Sequence, residues 1–148
     1  MLQSVNSPYP GEAASVVQLL MLASEYRDAA CTLRTQGRKG DPLSWAPCRL
    51  TAIHSIELCF NALLLHKGMK PAEIRAMQHC LSQRVELASA NGLKLRKRTA
   101  EHLIDITGNR EYLVTRYGPE MTASVSQINR LMATLDEVAA KVCRIVTS

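Results

Sequence analysis

A chain of 148 residues, 47% hydrophobic and 21% charged, has the length of one domain and too much apolar content to stay disordered. Eighteen Lys and Arg against thirteen Asp and Glu give a net charge of +5, an excess that assists polyanion binding without amounting to a basic arm. Five cysteines, at 31, 48, 59, 80 and 143, contain no Cys-x-x-Cys pair, which speaks against a disulfide framework or a zinc ribbon and for free thiols in a reducing compartment.

Residues 1–12 read as an N-terminal extension of a single helical domain covering 1–148. They lack a basic segment followed by an apolar stretch, which predicts cytoplasmic residence. No continuous apolar run reaches the roughly 20 residues that span a bilayer, so no membrane partner is expected. From Gly11 to about Gln36, Leu19, Leu22, Ala23, Tyr26, Ala30 and Leu33 recur every three or four residues, the period of a helix with one apolar face. Gly37 to Gly40 end it. A second helix starts at Pro47, tolerated in a first turn because its missing N–H costs little there. It runs to Lys67, where Gly68 can take the left-handed terminating conformation.

Pro71 starts a third region that ends at Asn91-Gly92, with Ile74, Met77, Leu81, Val85 and Ala88 as its stripe and a break expected near Gln78. The fourth spans Arg96 to Tyr117, with Leu103, Ile106, Leu113 and Tyr117 in phase and Gly108-Asn109 as an interruption. Gly118-Pro119 stop it. The last helix is the clearest, its stripe running Met121, Val125, Ile128, Met132, Leu135, Ala139, Val142, Val146 and widened by Leu131, Val138 and Ile145. With no sustained period-two alternation, the pattern predicts an all-α up-down bundle of four or five helices.

Three polar residues interrupt the second helix. His54, Glu57 and Asn61 are three and four apart and share a face with Leu50 and Leu64. A carboxylate on that face calls for a cationic partner, and Arg110 or Arg116 of the fourth region could supply it. The cluster reads either as a structural ion pair or as a site. Lys94, Arg96, Lys97 and Arg98 put four cations within five positions, either a solvated helix start or a contact for an anionic ligand or nucleic acid. The absence of aromatics among them removes a base-stacking platform. The histidines and cysteines show no metal-ligand spacing, so neither metal nor cofactor is expected. No Gly-x-Ser-x-Gly, phosphate-cradling glycine loop or His-Glu-x-x-His occurs.

The stretch Leu50-Thr-Ala-Ile-His54-Ser-Ile-Glu57-Leu58-Cys-Phe-Asn61-Ala62-Leu63-Leu64 resembles the hallmark helix of the HEPN family, in which a His and a Glu-Leu pair precede a Lys-Ala-Leu-like segment. Gly68 follows at the matching distance. Gln78-His79-Cys80-Leu81 resembles that family's Gly-His-Asp-Leu element, and Arg116-Tyr117 its Arg-Tyr element, so the likeness covers about residues 45–120. Asn61 stands in place of the usual Lys, Gln78 of the Gly and Cys80 of the Asp. The resemblance implies a helical bundle that dimerises, with a buried polar cluster of His54, Glu57, Asn61, Arg110, Arg116 and Tyr117. HEPN ribonucleases carry Arg, four to six residues, then His in a late helix. Here no His follows His102, and the spacing occurs only at Arg49 with His54 and Arg96 with His102. The expectation is a non-catalytic HEPN-like homodimer that binds a partner protein, nucleotide or RNA. The alternative is a metal-independent ribonuclease in which His54 or His102 moves protons and an Arg such as Arg96 stabilises phosphorane charge.

Overall fold

The computed structural model describes residues 7–148, and most of them are helical. Among the described residues seven α-helices follow in order: α1 (Val16–Arg34), α2 (Ala46–His66), α3 (Pro71–Ala76), α4 (Leu81–Ala90), α5 (Lys97–Gly108), α6 (Glu111–Tyr117) and α7 (Ile128–Thr147). Short 3₁₀ segments at Pro42–Trp45 and Pro119–Ser124 precede α2 and α7. Among the described residues there is no strand, only an isolated bridge between Arg38 and Asp41. The fold class is therefore all-α.

Helix α1 starts five residues after Gly11, which sits at φ +93° in a turn. Its start is fixed by a reciprocal cap: the Gln18 N–H donates to Ser15 Oγ at 3.1 Å and the Ser15 N–H to Gln18 Oε1 at 2.9 Å. Helix α2 is the centre of the molecule. Ala52, Ile56, Phe60, Ala62 and Leu63 are each fully buried, and burying one such large side chain is worth about 1.5–3 kcal/mol. By length and composition the stretch Pro42–His66 is apolar enough to cross a membrane, with mean hydropathy 1.3. This differs from the run-length expectation. The fold accounts for it, since 67% of that apolar window is buried inside the molecule by α1, α4, α6 and α7.

The third and fourth regions are each broken in two, which is why seven helices stand where four or five were expected. Gln78 at φ +51° turns the chain between α3 and α4, and Arg110 at φ +52° does so between α5 and α6. Gly68 (φ +95°) ends α2 as its sequence position predicts, with Met69 N–H donating back to Leu64 C=O at 3.0 Å. The final helix is shorter than its stripe. Met121 lies in the 3₁₀ segment and Val125 in extended backbone, so α7 begins at Ile128.

Helix direction also departs from simple alternation. Cys48 Sγ donates to Ala30 C=O and Ser55 Oγ to Ala23 C=O, so α1 and α2 are antiparallel. Arg34 meets Asn129 and Arg27 meets Asp136, so α7 is antiparallel to α1 as well. Strict alternation over five regions would set α1 and α7 parallel. The difference arises at α3, after which Glu57–His79 and Asn61–Arg84 advance together and run α4 alongside α2 in the same sense.

Candidate functional site

A cavity of about 750 Å³ lies between the segment Tyr9–Glu12 and helices α1, α2 and α3. Its polar wall is the α2 face that carries His54, Glu57 and Asn61. Glu57 is only 9% exposed, and its Oε1 lies 2.9 Å from His79 Nδ1. The left-handed turn at Gln78 delivers that imidazole. One turn further along α2, Arg84 Nε donates to Asn61 Oδ1 at 2.8 Å, Arg84 Nη1 to Cys80 C=O at 3.1 Å and Nη2 to Ile74 C=O at 3.5 Å. Arg84 is 1% exposed. Burial lowers its pKa, and the nearby Glu57 carboxylate opposes that shift.

His54 stands edge-on to Tyr26 with ring centroids 4.5 Å apart. Burial lowers its pKa below 6.5, against the pull of Glu57 and with the push of Arg116 and His79. At neutral pH it is an uncharged ring. Leu19, Leu22, Leu58, Leu65 and Ile74 form the apolar side of the cavity, and Arg75 stands at its edge, paired with Glu12 at 2.8 Å and stacked 4.4 Å over the Tyr9 ring. The arrangement offers a fixed carboxylate, two imidazoles and a surface cation on apolar walls. That combination is able to orient a polar ligand.

The sequence reading placed Arg110, Arg116 and Tyr117 in the buried cluster, and the structure does not. All three are exposed, Tyr117 by 75%. The reason is the turn at Arg110: it breaks the helical phase carried from Ile106, so Leu113 is also 37% exposed and α6 points its own side chains elsewhere. Glu57 pairs with His79 instead of an arginine. Arg84 was missed, although it lies three residues after Leu81 and four before Ala88, inside the α4 stripe.

The proposed proton-moving His102 lies away from that cavity. It is 6% exposed, with Nδ1 2.7 Å from Thr134 Oγ1 and Nε2 2.9 Å from Ser126 Oγ. Ser126 Oγ donates to Glu111 Oε1 at 3.1 Å and its N–H to Oε2 at 3.2 Å. Since that hydroxyl proton is committed to the carboxylate, Nε2–H donates to Ser126 and Nδ1 accepts from Thr134. Burial pushes the His102 pKa down to about 4. Arg49 Nη1 stands 3.9 Å from the fully buried Glu111, so it faces this chain and not His54.

Arg96 and His102 do not meet. The Arg96 N–H donates to Glu137 Oε2 at 2.7 Å and its guanidinium is exposed. Lys94, Lys97 and Arg98 are exposed as well. Among the described residues no group of three His, Cys, Asp or Glu could hold a metal ion. The cysteines are unpaired, Cys31 and Cys143 exposed, Cys48 and Cys59 buried and Cys80 between. No protein-family model, curated protein or solved structure matches the chain.

Proposed function

We propose that this chain is a non-catalytic HEPN-like helical module, cytoplasmic and homodimeric, that binds a nucleotide-sized ligand in the α2 cavity. In this reading its helices are the four or five regions of a HEPN-like bundle, two of them broken by a left-handed residue. The observation that carries it is a convergence. His54, Glu57, Asn61 and His79, the residues that the sequence resemblance singles out, line one cavity of about 750 Å³, within the usual range for ligand sites. Gln78 supports it too, because φ +51° is a conformation that glycine adopts freely, and the resembled element has Gly there.

The second carboxylate oxygen of Glu57 suits the amino groups of a base, and Arg75 would take a phosphate in exchange for its Glu12 partner. A ribonuclease would need an accessible general acid or base. His102 is sealed with both ring nitrogens engaged, which leaves His54, on the cavity wall, as the imidazole that the ribonuclease reading would use. The test is calorimetric titration with a panel of nucleotides, for which saturable binding is expected, lost in Glu57→Gln and His79→Ala. Absence of binding across the panel overturns the ligand class. RNA cleavage in chelator that disappears in His54→Ala or His102→Ala overturns the non-catalytic reading.

A further inference from the structure

We propose a second binding surface, between the start of α5 and α7, that holds the phosphate backbone of a nucleic-acid duplex. It shares no residue with the α2 cavity. A cleft of about 390 Å³ there is lined by Arg96, Arg130, Asp136, Glu137, Lys141 and Arg144, so residues far apart in sequence join the basic run at Lys94–Arg98.

The carboxylates of the cleft are already occupied. Glu137 accepts from Thr99 Oγ1 at 2.6 Å, from the Arg96 N–H at 2.7 Å and from Lys141 Nζ at 2.9 Å. Asp136 pairs with Arg27 at 2.8 Å. Burial alone would raise the Glu137 pKa, but those hydrogen bonds outweigh it and hold the carboxyl at about 2. It is thus a fixed part of the wall. Among the described residues, Arg96, Arg130 and Arg144 have no carboxylate within 4.0 Å. Arg130 Nη2 donates to Thr99 at 3.3 Å, while its Nε is buried with no hydrogen-bond partner. That guanidinium therefore keeps hydrogen-bonding capacity that no group among the described residues takes up.

Size and chemistry select the ligand. At 1.5 Å per residue, Arg130 and Arg144 stand about 21 Å apart along α7. One phosphate group cannot bridge that length, whereas a duplex presents about a dozen over it. Lys94, Lys97 and Arg98, next to Arg96 in sequence, are exposed as well. No aromatic side chain lines it, so a single strand finds nothing to stack on and the backbone is what remains to be read.

The test is fluorescence anisotropy with a short labelled RNA duplex, the DNA duplex of the same sequence and the single RNA strand, titrated at several salt concentrations. Both duplexes should bind alike, tighter than the strand, with affinity falling steeply as salt rises. The Arg96→Gln, Arg130→Gln, Arg144→Gln triple variant should lose roughly tenfold to a hundredfold in affinity and about 3 in the log–log salt slope. Arg144→Glu alone, at an exposed position, separates a charge effect from misfolding and should weaken binding with an unchanged melting temperature. Lys67→Gln, an exposed cation that lines neither cavity, should bind as the wild type does, and Glu57→Gln likewise, so failure here is distinct from failure of the nucleotide reading. A strand bound more tightly than the duplex, no duplex binding at low salt, or equal loss in Lys67→Gln would overturn the proposal.

Discussion

His102 and Arg84 are both buried polar side chains, yet they affect stability by different routes. His102 titrates at about 4 in the fold against 6.5 ordinarily. Below pH 6.5 the unfolded chain takes up a proton that the native ring refuses until about pH 4. Stability is therefore fully present above pH 6.5 and falls by about 3 kcal/mol on the way down to pH 4. His54, also lowered by burial, acts in the same direction. Glu137, held at about 2 against 4.5, adds its own loss only below pH 4.5. Urea unfolding of His102→Gln should show a shallower pH slope between 6.5 and 4.5, and an unchanged slope would assign the titration elsewhere. Arg84 is instead a matter of unpaired groups. Arg84→Met leaves Asn61 Oδ1 without its donor and takes one donor each from the Cys80 and Ile74 carbonyls, and should cost about 3 kcal/mol. Combining it with Asn61→Leu should recover part of that loss, giving a coupling of more than about 1 kcal/mol in a double-mutant cycle.

At the scale of elements, two left-handed residues decide the layout. Gln78 and Arg110 each carry a side chain at positive φ, a conformation that costs an L-residue about 1–2 kcal/mol. Gln78→Gly removes that strain but loosens the unfolded chain, so the net expectation is a gain of about 0.5–1 kcal/mol, visible as a raised melting temperature. The turn would still present His79 to Glu57. The sequence reading places breaks near both positions, the second at the turn signal Gly108-Asn109, although the stripe Ile74, Met77, Leu81, Val85, Ala88 runs past Gln78 without a change of phase. What was not legible is which residue turns: Gly108 stays helical at the end of α5, and Arg110 takes the strained conformation. The start of α7 misled for a related reason. Met121 and Val125 keep the stripe's phase, but Pro119 begins a 3₁₀ segment and Val125 is extended, so phase outlasts the helix.

The whole molecule sorts its five cysteines by depth. Cys31 and Cys143 are exposed, whereas Cys48 and Cys59 lie in the core. Burial raises both core thiols, Cys59 to about 11. With a thiol reagent at neutral pH, Cys31 and Cys143 should react first, Cys80 more slowly and the core pair only on unfolding. Simultaneous reaction of all five would mean that the core opens readily. The proposed homodimer is checked by sedimentation equilibrium at micromolar concentration, where a mass of one chain, 16.4 kDa, would remove it.

The helical class, the turn at Gly108-Asn109, the end of α2 at Gly68 and the shared face of His54, Glu57 and Asn61 can all be read along the chain, because they are local: periodicity, turn chemistry and spacing within a few residues. That Glu57 meets His79 and not an arginine, that Arg84 is buried against Asn61, that His102 is sealed and that Arg130 and Arg144 join Arg96 in one cleft emerges only once the helices are packed. Those pairings depend on how helices cross after each turn. A single left-handed residue rotates everything that follows it, and that rotation leaves no mark on the spacing of the residues it moves.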